Sequence, residues 1–120
     1  DVAHNPAGLQ QVMRQWAEVT ARHKYILISF VRDKDIHAAL ACFPKDASYY
    51  FTQAQIPRAL PASELEQIAA AHGLKGTAFP NAGDALKAAR AAMTNEDALL
   101  ITGSFFVIGA FLLEQERQFV

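Results

Sequence analysis

Three polar residues able to hold a ligand, Asp1, His4 and Asn5, stand directly ahead of Pro6. Asn is a favoured helix cap and Pro is favoured at the first helical position, so Asn5-Pro6 reads as the opening turn of a helix. A helix start carries unpaired N–H groups and partial positive charge, which suits phosphate. The chemistry of this stretch is that of an anion-binding strand-to-helix turn, with Asp1 placed to accept ribose hydroxyls. An ordinary capped helix start has the same signature. Lys34 and Ser104 are two further candidates. A lysine is not the residue expected near a helix N-terminus, so a cation at Lys34 asks for an anionic partner. The Ser104 hydroxyl caps a helix by default, and with nearby N–H groups it suits a carboxylate equally well.

Other chemistries find little support. A P-loop needs a Gly-rich run ending in Gly-Lys-Ser/Thr, and Gly103 and Gly109 have the wrong spacing for GxGxxG. A phosphate-receiver domain would need Asp at the end of the third strand, where Thr52-Gln53 stands. His23, His37 and His72 are spread along the chain with no metal-ligand spacing, and His23 and His72 read as helix C-terminal residues, where the helix dipole favours His. No metal site is therefore expected on this chain. Cys42 is the single cysteine, so neither a disulfide framework nor a thiolate metal site is expected, and a reducing cytoplasm is the default location. The net charge of −1 and the absence of a basic run argue against nucleic acid as the main partner.

The elements that position these residues alternate. Leu9, Val12, Met13, Trp16, Ala17 and Val19 recur at helical spacing and predict a helix over residues 6–22. The β-rich run 25–31 predicts a buried strand. A helix capped by Asp33 comes next, turning Ile36, Ala39, Leu40 and Phe43 inward and stopping at Pro44. Residues 48–52 form the next strand, and a helix opening at Ala62 ends at Gly73, a C-cap signal. A weak strand over 76–79, a helix over 83–93 and a strand over 98–102 complete the alternation. Gly103-Ser104 then leads into a final helix ending near Gln118. At 120 residues, 52% of them apolar with six more glycines, the chain is one domain richer in apolar residues than most.

The expected fold class is therefore α/β: a three-layer, Rossmann-like domain with a mainly parallel sheet and helices on both faces. In such sheets ligands gather beyond the carboxyl ends of the strands. That rule selects Asp1 and His4, then 32–35, Thr52 and Arg58, then Asn81, and finally Gly103-Ser104. The apolar stretch 98–113 is interrupted by Thr102-Gly103-Ser104, and the segment beyond that break falls far short of the ~20 residues a membrane span needs.

Taken in order, Asp1-Val2-Ala3-His4-Asn5-Pro6, Asp33-Lys34-Asp35 and Thr102-Gly103-Ser104-Phe105 resemble the C-terminal domain of folylpolyglutamate synthase/dihydrofolate synthase, in the Mur ligase superfamily. Tyr50-Phe51-Thr52, Pro57-Arg58-Ala59 and Glu64-Leu65 are similar too, and the likeness spans essentially the whole chain. The family commonly has Gly where Val2 stands. The resemblance implies an ATP-dependent acid–amino-acid ligase, with the P-loop and the Mg2+ ligands on a preceding domain not contained in this chain. It implies ATP contacts from Asp1, His4 and Asn5, and glutamate contacts from Lys34 and Ser104, with no catalytic residue on this domain alone. The implied partners are the chain's own P-loop domain, ATP, L-glutamate and a folate or dihydropteroate, without nucleic acid or membrane. Another Mur-type amino-acid ligase and a free-standing nucleotide- or anion-binding module are the alternatives.

Overall fold

The computed structural model describes residues 6–32 and 35–103, with side chains from Leu9 onward. Eight elements alternate: α1 (Pro6–Ala17), β1 (Lys24–Ser29), α2 (Ile36–Leu40), β2 (Ser48–Phe51), α3 (Ala62–Ala71), β3 (Gly76–Ala78), α4 (Ala82–Ala92) and β4 (Ala98–Gly103). The four strands form one sheet in the order β3-β2-β1-β4, and every pairing is parallel. The expected first strand ending at Asp1–Ala3 and the expected last helix lie outside the described residues.

β1 is interior, and all its residues after Lys24 are buried. Its alternation divides the core. Ile26 and Ile28 join Leu9, Trp16, Leu40, Phe51 and Leu65 on the face covered by the first three helices. Tyr25 and Leu27 join Ala85, Leu86 and Ala89 of α4 on the other face. Fully burying one such Ile or Leu is worth about 1.5–3 kcal/mol, so this strand anchors both layers. The three-layer α/β expectation is therefore met.

Several boundaries differ from the sequence reading. α1 stops at Ala17, not near residue 22, because Glu18 and Val19 make tight bonds back to the Gln15 and Trp16 carbonyls, both 3.1 Å. The Lys24 ammonium then donates to the Trp16 carbonyl at 2.8 Å, satisfying a last-turn acceptor. Val19, assigned by periodicity to the inner face, is exposed. His23 therefore precedes β1 in the chain, clear of any helix end, with Nε2 2.7 Å from Ser48 Oγ. The second helix is capped by Asp35, whose carboxylate accepts from the Ala38 N–H at 3.2 Å, and it is a single short turn ending at Leu40. Phe43 is buried beyond it. Gly73, at φ +79°, terminates α3 as expected.

At the amino ends of β1 and β4, the buried Asp97 carboxylate accepts from Arg22 at 2.9 Å and from the Thr94 N–H at 2.8 Å. Burial would raise this carboxyl's pKa. The Thr94 and Arg22 hydrogen bonds, with the charge of Arg22, outweigh burial and hold it below the ordinary carboxylate range. A depressed native pKa stabilises the fold above the unfolded-state value of about 3.9 and loses that contribution as pH falls through the native value. Urea midpoints measured from pH 7 down to pH 3 should therefore fall more steeply below pH 4 in the wild type than in Asp97→Asn. Parallel curves would remove this ion pair from the acid response.

Candidate functional site beyond the carboxyl ends of the strands

β1 and β4 end side by side, with Ser29 opposite Gly103. Gly103 has φ +114°, and a Cβ there would lie 2.0 Å from the Ser29 carbonyl oxygen. Only glycine lets the two strand ends close to this distance. The segments bearing Lys34 and Ser104 therefore leave the sheet from adjacent strands. Asp1, His4, Asn5, Lys34 and Ser104 themselves lie outside the described residues, and what the structure gives is their supports. α1 begins at Pro6, immediately after Asn5, and has no acidic residue in its first turn to oppose a phosphate.

Beyond β1, the chain pairs with the loop after β2. Arg32 N–H donates to the Arg58 carbonyl at 2.7 Å, and Leu60 N–H donates to the Phe30 carbonyl at 2.9 Å. Val31 and Ala59 form an antiparallel bridge between them. Two arginines far apart in sequence thus share one rim, both exposed. Arg32 lies 3.8 Å from Glu64, a half-exposed contact worth at most about 1 kcal/mol. It can be exchanged for a ligand carboxylate at little cost.

One other expected position, Asn81, is occupied by structural work, and so is Gln53, which the strand-end rule did not select. Asn81 caps α4 through the Asp84 N–H at 2.8 Å, and its amide also donates to the Asp84 carboxylate at 3.2 Å. The α3 start, whose cap residue Pro61 has no polar side chain, is capped by Gln53, which accepts from the Ala62 N–H at 2.7 Å. One of the free N–H groups of that helix end is thus taken up by Gln53.

Ser29 was not singled out from the sequence, yet it and Thr52 are the most unusual polar groups of this end. Both are wholly buried, and neither hydroxyl has a hydrogen-bond partner. They end neighbouring strands on the α4 face, since the ladder continues from Ile28–Phe51 through Thr52 N–H to the Ile28 carbonyl at 2.9 Å. A buried hydroxyl without a partner costs about 1–3 kcal/mol. Thr52→Val should therefore raise the unfolding free energy of the ligand-free protein by about 1 kcal/mol. Urea denaturation reads this directly, and a loss of stability would mean that the hydroxyl is satisfied in solution.

A cavity of about 500 Å³ lies at the opposite end of the sheet, lined among others by Trp16, Arg22, His23, Lys24 and Asp46. Its Arg22 and Lys24 cations are already engaged, by Asp97 and by the Trp16 carbonyl. Among the described residues no three His, Cys, Asp or Glu side chains gather as metal ligands. No described helix is long and apolar enough to cross a membrane.

The model of the family described as "Mur ligase, glutamate ligase domain" matches residues 1–105. The chain belongs to this Mur ligase family. Among solved structures, E. coli FolC in complex with DHPP and ADP matches it with a TM-score of 0.82 at 27% identity, over 98% of this chain and 28% of that one. Mycobacterium tuberculosis folylpolyglutamate synthase, complexed with ADP and AMPPCP, matches with a TM-score of 0.79 at 28% identity, over 92% of this chain and 28% of that one. A bifunctional folylpolyglutamate synthase/dihydrofolate synthase with Mn, AMPPNP and L-glutamate bound shares the fold, with a TM-score of 0.80 at 23% identity, over 97% of this chain and 28% of that one. No curated protein sequence matches the chain. This Mur ligase domain spans little more than a quarter of the length of the solved proteins it resembles.

Proposed function

We propose that the chain is the glutamate-ligase portion of an ATP-dependent folylpolyglutamate or dihydrofolate synthase. The observation that carries this reading is the family match over residues 1–105, joined to the likeness to FolC along 98% of the chain. In the proposed reaction a folate or pteroate carboxylate attacks the γ-phosphorus of ATP, giving an acyl phosphate and ADP. The α-amine of L-glutamate attacks the acyl carbon, phosphate leaves with its bonding electron pair, and the amine proton is lost as the amide forms.

This chain's own part is binding and exclusion. Asp1 accepts the ribose hydroxyls of ATP, while His4, Asn5 and the start of α1 face its phosphates. Lys34 and Ser104 hold the incoming glutamate, a dicarboxylate for which a cation and a hydroxyl beside N–H groups are suitable partners. The rim of Arg32 and Arg58 adds positive charge to the same end. Mg2+, when bound with ATP, neutralises charge on the transferring phosphoryl group. By the family resemblance, its ligands are assigned in this proposal to a P-loop domain of the full-length protein. Closure of the two domains would keep water from the acyl phosphate. The proposed setting is the cytoplasm, where a lone cysteine such as Cys42 stays reduced.

Asp1→Ala in the full-length protein should raise the KM for ATP by roughly ten- to a hundredfold, the loss of a charge-assisted hydrogen bond, and leave the KM for glutamate unchanged. Steady-state kinetics with each substrate varied in turn checks it. A selective glutamate defect would exchange the two assignments.

A further inference from the structure

His37 and His72 are 35 residues apart in sequence and adjacent in space: Nδ1 of His37 lies 2.9 Å from Nε2 of His72, with ring centroids 5.1 Å apart. His37 is the second residue of α2, and His72 is the C-cap of α3. The pair was invisible to spacing rules, because each ring is supplied by a different helix. We propose that these two imidazoles form a surface site for a divalent transition cation of the copper or nickel type, clamping α2 to the end of α3.

The donor atoms set the class of cation. In the ligand-free pair one ring donates its N–H and the other accepts, so a lone pair already points into the gap. When the donor ring shifts its proton to its other nitrogen, both facing nitrogens carry lone pairs and can bind one ion. The observed 2.9 Å is the length of the hydrogen bond in the ligand-free pair. The class of cation follows from two imidazole donors completed by water, which by the Irving–Williams order hold Cu2+ and Ni2+ more tightly than the earlier divalent ions of the row. His37 is exposed and His72 partly so, leaving room for each ring to turn its lone pair toward a common point and for water to complete the coordination.

No third His, Cys, Asp or Glu joins the pair among the described residues, which separates it from the three- and four-ligand sites of structural zinc. The nearby Asp35 carboxylate is committed to the Ala38 N–H. With nitrogen ligands only, the pair does not suit Mg2+, which prefers oxygen donors. The site is thus chemically distinct from any cation that accompanies ATP, and it stands independently of the proposed reaction.

The test uses the full-length protein without a polyhistidine tag, titrated with Cu2+ and followed by electron paramagnetic resonance against a competing chelator. The wild type should hold one equivalent of Cu2+ with a two-nitrogen signature that millimolar Mg2+ does not displace. His37→Gln and His72→Gln should each lose that equivalent, with affinity reduced at least tenfold. His37 is exposed, so His37→Gln keeps the fold, and circular dichroism of both variants verifies it. Copper affinity within twofold of wild type in either folded variant would overturn the site. Displacement by Mg2+ would overturn the assigned class of cation.

Discussion

Lys34→Ala in the full-length enzyme should raise the KM for L-glutamate about ten- to a hundredfold, with kcat changed far less. The size comes from removing a charged hydrogen-bonding partner of a carboxylate, about 1.5–3 kcal/mol. The pattern comes from the proposed role. A residue that binds glutamate equally in the ground and transition states affects KM alone, whereas one that acts on the developing charge lowers kcat. Lys34 sits in the crossover between β1 and Asp35, the cap of α2, so both ends of its segment are fixed by described structure. The same variant should leave the KM for ATP unchanged, the reverse of Asp1→Ala. Unchanged glutamate kinetics would remove Lys34 from the site.

The second large effect is on stability. Gly103→Ala should cost about 3–5 kcal/mol, combining the strain of a side chain at this φ with the clash against its neighbour. The added Cβ would lie 2.0 Å from the Ser29 oxygen and 3.0 Å from the Ser29 nitrogen. Both are backbone atoms of the interior strand, so no rotamer change relieves the contact. β1 and β4 would have to separate where they meet the proposed site. Domains of this size are stable by roughly 5–15 kcal/mol, so the variant should unfold at markedly lower urea and accumulate poorly. A loss below about 1 kcal/mol would mean that the strand ends are less closely packed than described.

Much of the architecture was legible because burial on both faces leaves an unmistakable pattern. The run Tyr25-Ile26-Leu27-Ile28 could only be an interior parallel strand, and Gly73 announced the end of α3. The boundaries that escaped the sequence were settled by groups distant along the chain or by competing caps. Nothing local shows that α1 ends at Ala17, where the Lys24 ammonium takes up a last-turn carbonyl. Asp33 and Asp35 are equally good caps by composition, and the Ala38 N–H selects Asp35. Gln53 as the cap of α3 depends on the fold returning the end of β2 to Ala62.

The site was legible differently. Its candidate residues were proposed from motifs and from the rule of strand carboxyl ends, and Asp1, His4, Asn5, Lys34 and Ser104 lie outside the described residues. The structure adds Ser29, the Arg32–Arg58 rim and the reason for glycine at 103, all products of strand order that no local window contains.

The most direct test of the central claim is the reaction itself. The full-length protein, given Mg-ATP, dihydropteroate and L-glutamate, should form dihydrofolate and release one ADP for each amide made, with product by mass spectrometry absent when glutamate is omitted. Parallel assays with a reduced folate in place of dihydropteroate should show whether the same site also extends a glutamyl tail. Failure to join glutamate to either acceptor, or efficient ligation of a different amino acid instead, would contradict the account.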